Sequence, residues 1–241
     1  MNLSNNFKIL MLLFVSIQTV NAQSLQDFFE ASNEFFKTYV NDGRVNYKEI
    51  KKNPEVLNEL VELSKGIAVT KDDESNYQAF WINGYNIQVI KGIVDNYPVQ
   101  SPLDISGFFD KTKRVIGHKE ITLNDIENKL LRGNFPSEAR FHFVLVCAGL
   151  GCPPIIDRAY TPEKLEHQLQ DQAEIALNNP DFVRVKGKKV QLSQIFEWYK
   201  DDFTQNGKSL LDYVNQFRKE KIDSKSKVGH YEYNWALNDS K

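Results

Sequence analysis

The sequence has few cysteines, no excess of either charge and no long apolar run, and each shortage excludes a class of protein. It contains two cysteines and four histidines, without CxxC or HxxxH spacing. Zinc usually needs four such ligands, so we predict no metal site. Thirty basic residues stand against 32 acidic ones, for a net charge of −2. No basic face for nucleic acid is expected, and no cofactor is predicted.

The N-terminus has the order of segments of an export signal. Lys8 precedes an apolar run from Ile9 to Ile17, and the small residues of Val20-Asn21-Ala22 follow. The run is about half the ~20 residues that cross a bilayer, so we predict no stable membrane anchor after cleavage. This order predicts a signal peptide over residues 1–22 and one globular domain over residues 23–241. The mature protein is then secreted to the periplasm or the extracellular space.

Apolar residues at helical spacing dominate the rest of the chain. The strongest pattern, Ser75 to Tyr97, is apolar around most of the helix and stops at Pro98, which predicts a helix buried on several sides. Shorter helices are predicted over Leu25–Tyr39, Pro54–Leu63, Leu123–Arg132, Thr161–Asn178, Ser193–Tyr199 and Ser209–Lys219.

Strand signals are fewer. Turn residues predict hairpins over Lys113–Thr122 and Phe182–Leu192, and the apolar run Phe141–Cys147 is typical of a buried strand. The sequence therefore predicts an α+β fold that is mostly helical, with a small, largely antiparallel sheet.

Two amides stand out inside the apolar central helix. Asn83 and Asn86 are three residues apart and share a face. A buried amide without a partner costs about 1–3 kcal/mol, so both must find hydrogen bonds. They either tie the helix to neighbouring backbone or line a ligand pocket, and the sequence leaves both interpretations open.

Charged residues and a glycine-rich turn complete the candidate site. Glu127 and Arg132, five apart on a predicted helix, do not form a same-face ion pair and are each either exposed or directed at something else. Arg140 and His142 open the predicted strand, and the turn Cys147–Pro154 follows it. Loops after buried strands commonly carry functional residues.

The two cysteines admit a disulfide, a catalytic thiol or metal binding. An oxidising compartment favours the disulfide. The catalytic interpretation makes Cys152 the nucleophile with His142 as its base, or with His118, His230 or Glu127 if His142 lies too far away. Five extended residues separate His142 from Cys147 by about 16 Å. We therefore expect Cys152 to lie near Glu127 and Asn83 rather than near His142.

Several of these segments resemble the domain-of-unknown-function family numbered 547. The matching motifs occur in the family's order over residues 43–238: Gly43–Tyr47, Phe80–Asn86, Leu123–Arg132, Arg140–Phe143, Cys152–Pro154, Phe196–Tyr199, Asp202–Phe203 and Tyr233–Asn238. Asn128 stands where the family often has histidine. The resemblance implies one domain with a shared site, and the glutaredoxin-like or coiled-coil segments beside the domain in related plant proteins hint at thiol chemistry or scaffolding.

Three hypotheses of function follow. The first is an exported domain that binds a small molecule or peptide through Asn83, Asn86, Arg132, Arg140 and the neighbouring Glu127, His142 and Cys152. The second is a thiol-dependent hydrolase or acyltransferase acting on cell-envelope peptides, with Cys152 as nucleophile. The third is a structural module in which these polar residues only hold the fold together.

Overall fold

The computed structural model describes residues 25–240. The predicted signal peptide, residues 1–22, lies outside the described residues. Among the residues described, no helix is both long enough and apolar enough to cross a membrane.

Helices make up most of the regular structure. In chain order they are α1 (25–39), α2 (Tyr47–Lys52), α3 (Glu55–Lys65), α4 (Glu74–Asn96), α5 (Leu123–Asp125), α6 (Leu165–Asn178), α7 (Ile195–Trp198), α8 (Lys200–Phe203) and α9 (Leu210–Phe217). The chain continues from α5 into a π-helix, Ile126–Leu131, and short 3₁₀-helices occupy Pro102–Asp104, Ala139–Phe143 and Gln205–Gly207.

The strands are short. They are β1 (Val40–Asn41), β2 (Arg44–Val45), β3 (Arg114–Ile116), β4 (Lys119–Ile121), β5 (Val183–Lys186), β6 (Lys189–Ser193) and β7 (Lys227–Tyr231). The pairs β1–β2, β3–β4 and β5–β6 are antiparallel, and β7 adds to β6 in parallel. The predicted α+β class, mostly helical with largely antiparallel strands, is confirmed.

Helix α4 forms the centre of the fold, as its apolar pattern predicts. Every residue from Ala79 to Ile90 is buried. The Asp73 side chain accepts a hydrogen bond from the Asn76 amide and caps the start of the helix, and the chain leaves it just before Pro98. Because this part of α4 is covered on all sides, unpaired polar side chains there are costly, and Asn83 and Asn86 find partners in neighbouring elements.

Two of the helix-capping residues are those that the sequence predicts. Thr122 accepts from the Asp125 amide at the start of α5, and Ser209 forms a reciprocal capping box with Asp212 at the start of α9. Two starts differ from the prediction. The regular part of α6 begins at Leu165 after a turn, and the N-cap position of α7 is Gln194 instead of Ser193.

The predicted buried strand over Phe141–Cys147 is wrong. Residues Ala139–Phe143 form a 3₁₀-helix, and residues 144–147 follow it without regular structure. The Asn86 side chain takes the place of a strand partner, since it donates to the Val144 carbonyl and accepts from the Val146 amide, both at 2.9 Å. The apolar run indicated burial correctly, but a side-chain amide satisfies the backbone that a neighbouring strand would have paired.

Candidate functional site

The π-helix positions Glu127 and Arg132. Its wider turn is closed by the Arg132 amide, which donates to the Glu127 carbonyl at 2.9 Å. Single π-turns occur frequently at functional sites. Burial lowers the pKa of the Arg132 guanidinium, but Asp202 and the charge of Glu127 outweigh burial and raise this pKa above its ordinary value. As the spacing of five predicts, no ion pair joins Glu127 and Arg132 in the part of the chain that the structure describes, and Arg132 pairs with Asp202 instead.

Asp202 joins Arg132 to His142. Its Oδ2 atom accepts from Arg132 Nε and lies 2.7 Å from His142 Nε2. Burial raises the pKa of the Asp202 carboxyl, but the hydrogen bonds from His142 and Arg132 outweigh it and hold the pKa at about 2. Ionised Asp202 can only accept, so His142 Nε2 carries a hydrogen.

The ring of Tyr199 connects these groups to Glu127. Its centroid lies 4.2 Å from that of His142, and the Arg132 guanidinium sits 4.6 Å from it on the ring face. Burial, followed by the charge and hydrogen bond of Glu127, raises the pKa of the Tyr199 hydroxyl. Tyr199 therefore stays protonated near neutral pH and donates to the Glu127 carboxylate.

Cys147 and Cys152, the two cysteines of the chain, form a disulfide whose Cα atoms are 6.5 Å apart. The Tyr233 hydroxyl lies 2.9 Å from Cys147 Sγ and 2.8 Å from Cys152 Sγ. Burial raises the pKa of Tyr233, so its hydroxyl is a donor. The Cys147 amide also donates to Cys152 Sγ at 3.0 Å.

The C-terminal segment holds the disulfide loop in place. The Leu150 and Gly151 amides donate to the carbonyls of Ala236 and Asn234, at 2.8 and 2.7 Å. A Cβ atom on Gly151 would lie 2.9 Å from the Asn234 amide nitrogen and from the Tyr233 ring. The loop therefore approaches this segment so closely that glycine is needed at position 151.

One cavity of about 80 Å³ brings three predicted site residues together. Glu127, His142 and Cys152 all line it, with Cys147 beside them. The remaining lining residues are mostly aromatic: Tyr85, Leu145, Ile195, Trp198, Tyr199, Tyr233 and Trp235. A wider cleft of about 300 Å³ shares Glu127, Cys147 and four of these aromatic residues, and adds Phe109 and Asn124.

The predicted distance between His142 and Cys152 rested on a strand that the structure does not contain. It assumed extended residues with a rise of about 3.3 Å each, whereas a 3₁₀-helix rises about 2 Å per residue. His142 and Glu127 both line one cavity with Cys152, while Asn83 bonds to backbone elsewhere.

Asn83 and Asn86 bond to backbone rather than to each other or to the cavity. Asn83 Nδ2 donates to the Ala79 and Tyr160 carbonyls at 2.9 and 2.7 Å, and its Oδ1 accepts from the Tyr160 amide at 3.0 Å. Asn86 holds residues 144–146 in the same way. This geometry favours the structural interpretation of both amides.

Arg140 forms a separate charged cluster. Its guanidinium pairs with Glu138 at 2.5 Å and with Glu166 at 2.7 Å. The hydrogen bond that Arg140 donates to Glu138 raises the pKa of Arg140 most, and burial opposes this increase. Arg140 lines a different cleft, between residues 137–140 and the side chains of α6 and α9.

Asp202, Tyr199, Tyr233, Trp198 and Trp235 were not predicted as site residues. They lie 46 or more residues beyond Cys152 in the sequence, so no local spacing links them to the disulfide loop. Their only signal was membership of the motifs that resemble the family, in the segments around Trp198, Asp202 and Trp235. Those motifs did not indicate which side chains face a cavity.

Comparison with known proteins confirms the resemblance over the central part of the chain. Residues 69–175 match the model of the family described as "Protein of unknown function, DUF547". Glu127, His142 and both cysteines lie inside the match, while Asp202 and Tyr233 lie beyond it. No match was found among curated proteins or among solved structures.

Proposed function

We propose that this chain is an exported ligand-binding domain whose aromatic cleft takes a cationic group of a small molecule or peptide. The predicted signal peptide supports a periplasmic or extracellular location, and a disulfide fits the oxidising conditions there. The observation that carries the proposal is the position of the Glu127 carboxylate, which lies among aromatic side chains in both cavities.

The charges around the cleft favour a cation. Among the described residues that line the two cavities, Glu127 is the one carboxylate and there is neither lysine nor arginine. The nearby Arg132 is paired with Asp202, so it does not neutralise Glu127. Six aromatic rings surround this carboxylate, and cations bind over such rings with about 0.5–2 kcal/mol each.

The side chains of Trp198 and Trp235 are suited to hold a flat or extended group of a ligand. Their rings are nearly parallel, with an interplanar angle of 24° and centroids 6.2 Å apart. The Trp198 side chain is 47% exposed, so a ligand can reach it without rearrangement of the core. Apolar walls with a single charged group are typical of small-molecule sites.

Binding of matched probes tests this proposal. N-acetyl-lysine methylamide and its uncharged analogue N-acetyl-norleucine methylamide would be titrated by calorimetry and tryptophan fluorescence. We expect the lysine probe to bind about tenfold more tightly, equivalent to ~1.4 kcal/mol. Glu127→Gln should abolish the difference, whereas Glu59→Gln on the exposed face of α3 should preserve it. Equal binding of both probes, or binding of neither, would contradict the proposal.

A thiol-dependent hydrolase or acyltransferase acting on cell-envelope peptides is the second candidate. One observation favours it: His142, which is hydrogen-bonded to Asp202, lines the same cavity as Cys152. After reduction, His142 could take the Cys152 proton as the sulfur attacks an acyl carbon. Reduced protein should then be alkylated at Cys152 with a pH profile that His142→Asn shifts. An unshifted profile, together with no turnover of peptide thioesters, would exclude this candidate.

A further inference from the structure

The two sulfurs of the disulfide differ in their surroundings. Cys147 lines both the small cavity and the wider aromatic cleft, whereas Cys152 lines the small cavity and a separate cleft of about 330 Å³ that Gly43, Asn179 and Asn234 also line. A molecule entering through the wider cleft therefore meets Cys147 first. We propose that the Cys147–Cys152 disulfide exchanges with the thiols of a dithiol peptide in this cleft, with Cys147 as the sulfur that is attacked.

The donors around the disulfide favour Cys152 as the leaving group. Its sulfur accepts from the Cys147 amide at 3.0 Å and lies 2.8 Å from the Tyr233 hydroxyl. Hydrogen-bond donors stabilise a thiolate, and the more stable thiolate leaves faster in thiol–disulfide exchange. Cys147 shares the Tyr233 hydroxyl, so the backbone amide makes the difference between the two sulfurs.

The residues on both sides of Cys147 are held in place. Ala148 has a φ of 63°, in the left-handed region that residues with side chains rarely adopt. The Asn238 amide donates to the Ala148 carbonyl at 2.9 Å, and Asn86 Oδ1 accepts from the Val146 amide at 2.9 Å. The Cys147 amide between them lies 3.0 Å from Cys152 Sγ.

The exchange balances in two steps. A substrate thiol loses its proton to the Glu127 carboxylate, and the thiolate attacks Cys147 Sγ. The bond between Cys147 and Cys152 breaks, and its electron pair goes to Cys152 Sγ. The second substrate thiol gives its proton to the Cys152 thiolate and, as a thiolate, attacks the substrate sulfur of the mixed disulfide. This step releases Cys147 as a thiolate, which takes the proton held by Glu127. The substrate dithiol has lost two electrons and two protons, which the two cysteines have gained.

Further turnover requires a co-reactant. A low-molecular-weight disulfide, such as oxidised glutathione, reoxidises the two cysteines by the reverse sequence. This activity goes beyond cation binding and does not depend on it, because a thiol probe without a positive charge can test it.

Regiochemistry tests the proposal on the unaltered protein. The native oxidised chain would be exposed to a monothiol such as glutathione, quenched with iodoacetamide and mapped by peptide mass spectrometry. We expect the thiol adduct on Cys147 and the alkyl group on Cys152, in at least tenfold excess over the reverse. An adduct mainly on Cys152, or none until the protein is unfolded, would overturn the proposal.

Three variants supply a second readout. In the Cys152→Ser variant, the free Cys147 thiol attacks a disulfide probe and forms a mixed disulfide. No second cysteine is left to displace the probe, so this adduct should persist on Cys147. Tyr233→Phe should slow oxidation of a dithiol peptide about tenfold. Tyr213→Phe is its control, because the Tyr213 hydroxyl has no partner among the described residues and lies outside the cavity. Equal rates for the two tyrosine variants would refute the role of Tyr233.

Discussion

The amides of α4 are buried and the polar groups of the cavity are buried or half-buried, and the two sets are satisfied in different ways. Asn83 and Asn86 bond to backbone atoms of segments 144–146 and 160. Glu127, His142 and the cysteines instead contact other side chains and face an open volume. Backbone partners do not exchange with a ligand, so the first group stabilises the fold and the second is available for binding or chemistry.

Asn83→Leu should give the largest loss of stability. It removes three hydrogen bonds and leaves the Tyr160 amide and carbonyl buried without partners. We expect the free energy of unfolding to fall by about 2 kcal/mol, measured by urea denaturation. Asn96→Leu, on the exposed end of the same helix, should cost less than about 0.5 kcal/mol. Equal effects would remove the distinction between the two regions.

Gly151→Ala tests whether the disulfide loop requires its close packing. The new methyl group would meet the Asn234 amide nitrogen and the Tyr233 ring at 2.9 Å. Such overpacking should cost about 1.5 kcal/mol and move Tyr233 away from the sulfurs. Gly66→Ala is the control, since no atom lies within 4 Å of its new methyl group. Similar melting temperatures for the two variants would show that the loop can shift freely.

Asp202→Asn should change the response to acid. The pKa of Asp202 is about 2 in the folded protein, below its ordinary value of 3.8. A lowered pKa gives stability that is fully present above about pH 4 and lost as the pH falls towards 2. Near pH 6 the variant should be less stable than wild type by about 1 kcal/mol, after allowance for solvent screening.

The difference in the free energy of unfolding between wild type and Asp202→Asn should disappear near pH 2. Denaturation at several pH values checks this, with Asp201→Asn on the exposed face of α8 as the control. A difference that stays constant across the acid range would mean that the Asp202 carboxylate is not held by His142 and Arg132 in solution.

Glu127→Gln should have the smallest effect on stability. The amide oxygen can still accept from Tyr199, so we expect a change within about 0.5 kcal/mol in thermal denaturation. The same variant should lose the preference for the lysine probe. A large loss of stability would place Glu127 with Asn83, among the residues that hold the fold together.

Helix α4, the hairpins β3–β4 and β5–β6, and the caps at Thr122 and Ser209 were all predictable. Each depends on periodicity or on a hydrogen bond between residues within a few positions of each other. The 3₁₀-helix over Ala139–Phe143 was not, because a distant side chain, Asn86, satisfies the backbone that follows it. The partners of His142 were also unpredictable, since Asp202 is 60 residues away.

The amino-acid sequence by itself determined the helical class, the burial of α4 and the need of Asn83 and Asn86 for hydrogen-bond partners. The first two follow from the spacing of apolar residues along one segment, and the third follows from the cost of removing a side-chain amide from water. Only the tertiary structure decided that Glu127, His142 and the disulfide share a cavity with Trp198 and Trp235. That arrangement depends on how the π-helix, the 3₁₀-helix and the C-terminal segment pack around the disulfide loop, and packing between segments so far apart has no signature in local spacing.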